Sequence, residues 1–399
     1  MSRILMGRAL RGAKASVWDQ PACMAQQQQQ RSFGQTPARQ TCRSFADPQV
    51  LFDKTTTPGL GPILEEIQTN IILPYHLPIH QRKRVFSEKL KHRLKNDPVY
   101  LEIDGLEHRF NHINEEALPP SRDITWKALR AMETPQDWNN FGRLLSGMRT
   151  AGRHYSQTDF AKMIRIAGQQ GQIYTIIEAA RQVRKTGMKL DNSEKVNEVL
   201  HFVQMRAVES EWDQEKTKQA LRWAEIVLEM LEDKGHAPNA RKLRKRQLAQ
   251  EGAATPEQER FALYNDPQII GAALHLSAVL AVKHNDSKDV DGKVGRLAKK
   301  LVERWPAGKG LLQLHPAEAY ADRVDGVAYL VHSRTQYLSY ASPILHGLFL
   351  AARVVEKPIA DRLNAIAAAL GPEVKDVAEN QTFPAERGLK TYNALFGSE

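Results

Sequence analysis

Phe141-Gly-Arg-Leu-Leu-Ser-Gly-Met-Arg-Thr-Ala-Gly152, Ile176-Ile-Glu-Ala-Ala-Arg-Gln-Val-Arg-Lys-Thr-Gly187 and Ala224-Glu-Ile-Val-Leu-Glu-Met-Leu-Glu-Asp-Lys-Gly235 share one pattern. Counting back 11, 8, 7 and 4 residues from each closing glycine gives Phe141, Leu144, Leu145, Met148, then Ile176, Ala179, Ala180, Val183, then Ala224, Val227, Leu228, Leu231. All are apolar. The spacing puts each set on one stripe of a helix that stops at a residue able to turn left-handed. The glycines lie 35 and then 48 residues apart, so a period of 35 holds once and then needs an insertion of 13. A helix with a single stripe cannot bury it alone; stacked as hairpins, such helices bury their stripes against neighbours and leave one concave face.

Helical periodicity extends on both sides of these stretches. Phe160, Met163, Ile164 and Ala167 follow i, i+3, i+4, i+7 spacing, as do Val196, Val199, Leu200 and Val203. Thr134-Pro135, Thr255-Pro256 and Asn265-Asp266-Pro267 each set a capping side chain before a proline that can open a helix. Toward the C-terminus, residues 269–282, 294–305, 344–355 and 359–370 read as helices, with stops at Trp305-Pro306 and Leu370-Gly371-Pro372. The expected fold is all-α: helical hairpin repeats over 118–250 and a helical C-terminal cap over 255–399.

Upstream the character changes. Residues 47–78 are punctuated by Pro and Thr and read as an extended lead-in around one short helix at 63–68. A basic run follows, comprising Arg82, Lys83, Arg84, Lys89, Lys91 and Arg93, with a thin apolar stripe of Val85, Phe86 and Leu90. So thin a stripe with so many cations does not read as a core element; the run is either laid along a polyanion, where each neutralised phosphate releases counterions, or a solvated charged helix. A second cluster, Arg241, Lys242, Arg244, Lys245 and Arg246, follows the third repeat glycine. Strand-type residues flank Asp104-Gly105, which predicts a small β-hairpin over 99–110 within an otherwise extended region 46–117.

The chain has 399 residues, 42% hydrophobic and 26% charged, with a net charge of +10. Residues 1–45 hold seven basic residues and one acid, Asp19, so most of the surplus sits at the front. An Arg-rich, acid-poor segment of this kind has the makeup of a mitochondrial import sequence, with a mature start expected near Phe45 or Ala46. Both cysteines, Cys23 and Cys42, lie inside it, so a mature protein would contain no disulfide or thiolate. The stretch nearest to a membrane span, 344–355, carries His346 and Arg353 and falls short of the roughly 18 residues needed.

No catalytic or cofactor motif accompanies this architecture. The phosphate-cradling, dinucleotide, zinc-protease and serine-hydrolase signatures are all missing from the sequence. Glu318, Asp322 and Asp325 read as a solvated acidic face, and Asp286, Asp289 and Asp291 lack the terminal glutamate of a calcium loop. The expectation is a protein without enzymatic activity, cofactor, metal or small-molecule substrate.

The repeat period, the closing glycine and the linkers Gly187-Met-Lys-Leu-Asp191 and Gly235-His-Ala-Pro-Asn239 resemble the pentatricopeptide repeat over roughly residues 126–246. In that family two side chains per repeat read a base. Carried over, the first falls on Ala161, Val196 and Arg244, and the second on Ser156, Asp191 and Asn239. Ala161 and Val196 cannot make the hydrogen bond, so the base code is degenerate. Import sequence, basic extension, hairpin and helical repeats together resemble mitochondrial ribosomal proteins, of fungal texture given the glutamine run. The function this implies is a structural RNA- and protein-binding component of the mitochondrial ribosome in the matrix, with rRNA and ribosomal proteins as partners. Two alternatives carry different partners: a translation activator or processing factor acting on mitochondrial mRNA, and a scaffold for assembly of an inner-membrane complex.

Overall fold

The structure is a computed structural model that describes residues 42–43, 51–103, 105–237, 262–323, 325–380 and 386–397. Apart from a strand at 42–43, the expected import sequence lies outside the described residues, and so does the whole of the second basic cluster, Arg241, Lys242, Arg244, Lys245 and Arg246. The fold is all-α with one small sheet. β2 (Val99–Ile103) and β3 (Leu106–Phe110) form the expected hairpin, Ile103 opposite Leu106, with Gly105 at φ 79° in the turn. A two-residue strand β1 (Cys42–Arg43) adds to β2 in parallel, which the sequence did not announce.

Residues 60–76, read in sequence as mostly extended, are helical throughout. α1 (Leu60–Ile67) continues through a π-type turn, Gln68–Ile72, into a 3-10 turn, Leu73–His76. Leu60, Leu64, Ile67, Ile71, Ile72 and Leu73 are all buried, so tertiary burial of this apolar series outweighs the turn-forming residues around it. The basic run is divided between α2 (Ile79–Phe86), a 3-10 turn, Glu88–Leu90, that carries Lys89, and α3 (Lys91–Asn96).

Three helical hairpins follow: α4 (Ser121–Ala131) with α5 (Pro135–Trp138) and α6 (Asn140–Thr150); α7 (Gln157–Gln169) with α8 (Ile173–Arg181) and α9 (Val183–Thr186); α10 (Ser193–Glu209) with α11 (Gln214–Glu232). Thr134 and Ser156 each open a helix through a reciprocal capping box, with Asp137 and Asp159 as partners. Eleven of the twelve stripe positions are buried and Leu228 is half-buried. Gly152 and Gly187 adopt the left-handed conformation, φ 71° and 76°. Gly235 does not; α11 ends at Glu232 and this glycine lies in a 3-10 turn.

The C-terminal half comprises α12 (Pro267–His284), α13 (Lys293–Arg304), α14 (Arg334–Ala352), α15 (Lys357–Glu379) and α16 (Arg387–Phe396). Asp266 caps α12 by accepting from Gln268 N–H, with Pro267 in the first turn as expected. α15 runs straight through Leu370-Gly371-Pro372, the expected stop. An interior proline costs about 3 kcal/mol, whereas burying Leu363, Ile366, Leu370 and Val374 contributes roughly 1.5–3 kcal/mol each, so the helix continues. Two apolar cores result. One serves the repeats and the N-terminal turns, the other the C-terminal helices, and α12 belongs to both through Ile269, Ala273 and Leu276 on one side and Ile270, Leu274 and Ala278 on the other.

Candidate nucleic-acid interface

α2 and α3 form a short basic excursion anchored by two apolar residues. Val85 and Leu94 are buried, which corrects the expectation that this run takes no part in the core. The Val85 carbonyl accepts from Ile113 N–H at 3.1 Å and lies 3.0 Å from His112 Nδ1, tying the end of α2 to the exit of the hairpin. Arg82 lies over the Tyr75 ring at 4.8 Å, and Arg84 Nη2 donates to Asp97 Oδ2 at 2.7 Å. Lys91 pairs with Glu88, whose carboxyl is held below its ordinary range by that ammonium and by His112. Lys83, Lys89 and Arg93 are exposed and have no carboxylate partner among the described residues. The six expected residues therefore divide: three are occupied within the fold and three point free cations outward.

The positions that would read bases are placed otherwise. Ala161 and Val196 are buried in the repeat core, Ser156 caps α7, and Asp191 pairs with Lys195. Asn239 and Arg244 lie outside the described residues. The first helix of the third hairpin, α10, is buried on its polar side as well as its apolar one. Its Ser193, Asn197, Glu198, His201 and Gln204 are all covered, and α10 packs against α12, α14 and α16.

Burying that polar face requires a partner for each group. The Tyr329 hydroxyl lies 2.7 Å from Ser193 Oγ and accepts from Asn197 Nδ2 at 2.9 Å. The Glu198 carboxylate accepts from Arg387 Nη1 at 2.7 Å and Nη2 at 3.2 Å, from Arg165 at 3.3 Å and from Gln336 Nε2 at 3.2 Å. Burial pushes this carboxyl up, yet Arg387 and Arg165 outweigh it and hold it below the usual range. His201 Nδ1 lies 3.0 Å from the Ser339 carbonyl; burial, reinforced by Arg387, pushes this imidazole down to about 3. Gln204 donates to His275, which in turn meets His346 Nδ1 at 2.9 Å. Apart from His346, noted only as a polar residue within the apolar stretch 344–355, none of these residues was singled out in sequence. Arg387 and Glu198 are far apart along the chain, and no local pattern links them.

Other acidic candidates are absorbed structurally. Asp289 accepts from the N–H groups of Val294 and Gly295 at the start of α13, and Asp325 accepts from Gln157 Nε2. No cluster of three metal-ligating side chains occurs among the described residues. No helix among them is long and apolar enough to cross a membrane.

Residues 31–394 match the family described as mitochondrial ribosomal protein mS27. The chain belongs to that family. It is also 34% identical over 388 residues to the small ribosomal subunit protein mS27 of Neurospora crassa, covering 93% of each chain. An mS27-family chain is a component of the mitochondrial ribosome, and the resemblance to fungal mitoribosomal proteins drawn from the sequence is thereby established. The mS27 match begins at residue 31, inside the segment read as an import sequence.

Proposed function

We propose that this chain is a structural, non-catalytic constituent of the small mitoribosomal subunit in the matrix, holding rRNA through α2 and α3 and neighbouring proteins through its helical body. Membership of the mS27 family and the name of the Neurospora crassa relative support the subunit assignment. The observation that carries the RNA contact is the set of exposed cations Lys83, Lys89 and Arg93, without a carboxylate partner among the described residues, mounted on α2, the 3-10 turn Glu88–Leu90 and α3, whose buried Val85 and Leu94 fix the run to the core. Cations that neutralise no internal carboxylate are available to phosphate, and their affinity is independent of base sequence. Arg82, Arg84 and Lys91 support the same surface from within, and Arg241, Lys242, Arg244, Lys245 and Arg246 extend the proposal to a second basic segment.

Burial of Ala161 and Val196 and coverage of α10 favour this reading over sequence-specific recognition of mRNA. The test is the salt dependence of RNA affinity. Lys83→Ser/Lys89→Ser/Arg93→Ser is expected to reduce the slope of log affinity against log salt by about 2 to 3, at roughly 0.7–0.9 per lost phosphate contact. An unchanged slope in a folded variant removes α2 and α3 from the interface.

A further inference from the structure

The tripeptide Arg-Ser-Phe occurs twice in the chain, at Arg31-Ser32-Phe33 and at Arg43-Ser44-Phe45, twelve residues apart. The second closes the expected import sequence, and the first offers a processing protease the same residues. Two observations choose between them. Cys42 and Arg43 form β1, whose backbone pairs in parallel with β2, Cys42 opposite Leu101 and Arg43 opposite Glu102. β2 is thereby the middle strand of a three-stranded sheet, and its Val99, Leu101 and Ile103 are buried in the core that also serves the repeats. A cut next to Phe45 would take β1 away and leave β2 at an edge, with N–H and C=O groups that no strand pairs. The mS27 match, in turn, begins at residue 31 rather than beyond residue 45. An import leader is read for its positive charge and amphipathic makeup and then discarded, so the order of its residues is loosely specified. A stretch that stays in the folded protein is specified residue by residue.

We propose that the matrix processing protease cuts at Arg31-Ser32-Phe33, and that the mature chain keeps Cys42 and Arg43 as the third strand of the sheet. The step is hydrolysis of the Ser32–Phe33 peptide bond: water gives its hydroxyl to the Ser32 carbonyl carbon and a proton to the nitrogen that becomes the Phe33 amine. The leader released, residues 1–32, holds Arg3, Arg8, Arg11, Lys14 and Arg31 against the single acid Asp19, which is the makeup that import requires. Residues 33–46, which stay, add Arg39 and Arg43 and no acid to the front of the mature protein. They also carry Cys42, so the mature protein has one thiol, while Cys23 leaves with the leader. The proposal rests on the matrix location proposed for this chain and adds the processing site and the boundary of the mature protein.

The test expresses the full chain with a C-terminal tag, recovers it from purified mitochondria, determines its N-terminus by mass spectrometry and alkylates the denatured protein with N-ethylmaleimide. The expected result is a chain that starts at Phe33 and takes up one alkyl group, on Cys42. A start at Phe45 or Ala46, with no alkylated thiol, overturns the proposal while the matrix location stands. An uncut chain that carries both thiols and is recovered only outside mitochondria overturns the matrix location and the proposal with it. Import of radiolabelled precursor into isolated mitochondria separates the two tripeptides. Arg31→Ala leaves Arg3, Arg8, Arg11 and Lys14 to drive import, so it is expected to give a chain that is protected from external protease and lacks the cut at Phe33. Arg43→Ala is expected to leave the mature start unchanged. A start displaced by Arg43→Ala and untouched by Arg31→Ala overturns the proposal.

Discussion

Replacing Arg387 by Met keeps an apolar stem against Phe202, whose ring the guanidinium covers at 5.3 Å, and removes the charge that faces Glu198. Glu198 is fully buried, and loss of one partner of such a pair costs about 3–5 kcal/mol because a charge is left desolvated. Two donors remain, Arg165 at 3.3 Å and Gln336 at 3.2 Å, so the low end applies, about 3 kcal/mol. At roughly 2 °C per kcal/mol for a chain of this size, the melting midpoint falls by about 6 °C. Adding Glu198→Gln removes the stranded charge, while Arg165 keeps Glu194 at 3.4 Å. The double variant is therefore expected to recover about 2 kcal/mol relative to the sum of the single losses. Urea unfolding of the four proteins measures this, and hydrogen exchange reports whether α16 loosens first. A loss under about 1 kcal/mol in Arg387→Met, or strict additivity in the double variant, refutes the claim that this pair clips the C-terminal helices onto α10.

Buried histidines give a pH dependence of definite sign. His201 and His346 are pushed below their ordinary value, to about 3 and about 4, by burial and nearby cations, and His275 well below it by burial and His346. The unfolded chain takes up their protons first, so stability is full above about pH 6.5 and declines as pH falls toward the folded values. Between pH 6.5 and 5 the loss is roughly 2 kcal/mol for His201 alone, measurable by urea unfolding and absent in His201→Gln if that variant folds. At Gly168 an added Cβ would lie 2.2 Å from the Phe202 ring, so Gly168→Ala is expected to cost about 1–3 kcal/mol, whereas Gly142→Ala, with open space around it, costs little. Asp137 accepts from Thr56 N–H at 2.8 Å and Thr57 Oγ1 at 2.7 Å; burial pushes its carboxyl up, but these donors prevail and hold it well down. Asp137→Ala is expected to release residues 51–59, seen as faster proteolysis there together with a loss of about 1–3 kcal/mol.

What the sequence made legible was local and periodic. The stripes ending at Gly152 and Gly187, the capping Thr134 before Pro135, and the Asp104-Gly105 turn each follow from spacing within a dozen residues. Failures arose where tertiary burial outweighs local preference, as at Pro372 inside α15 and in the apolar turns of 60–76. The basic surface was half legible. Lys83, Lys89 and Arg93 are exposed, but nothing nearby in sequence announces that Arg82 rests on Tyr75 or that Arg84 meets Asp97. Least visible was the buried polar seam of Asn197, Glu198, His201 and Gln204, which reads as an ordinary solvated helix face until the helices from the other half of the chain are laid over it.

Sedimentation of tagged full-length protein from mitochondrial lysate on a sucrose gradient at high salt tests the central claim most directly. The account predicts near-equimolar co-migration with the small ribosomal subunit, retained where loosely bound factors are stripped. Substoichiometric association that high salt removes, or migration with a respiratory assembly intermediate instead, would contradict it.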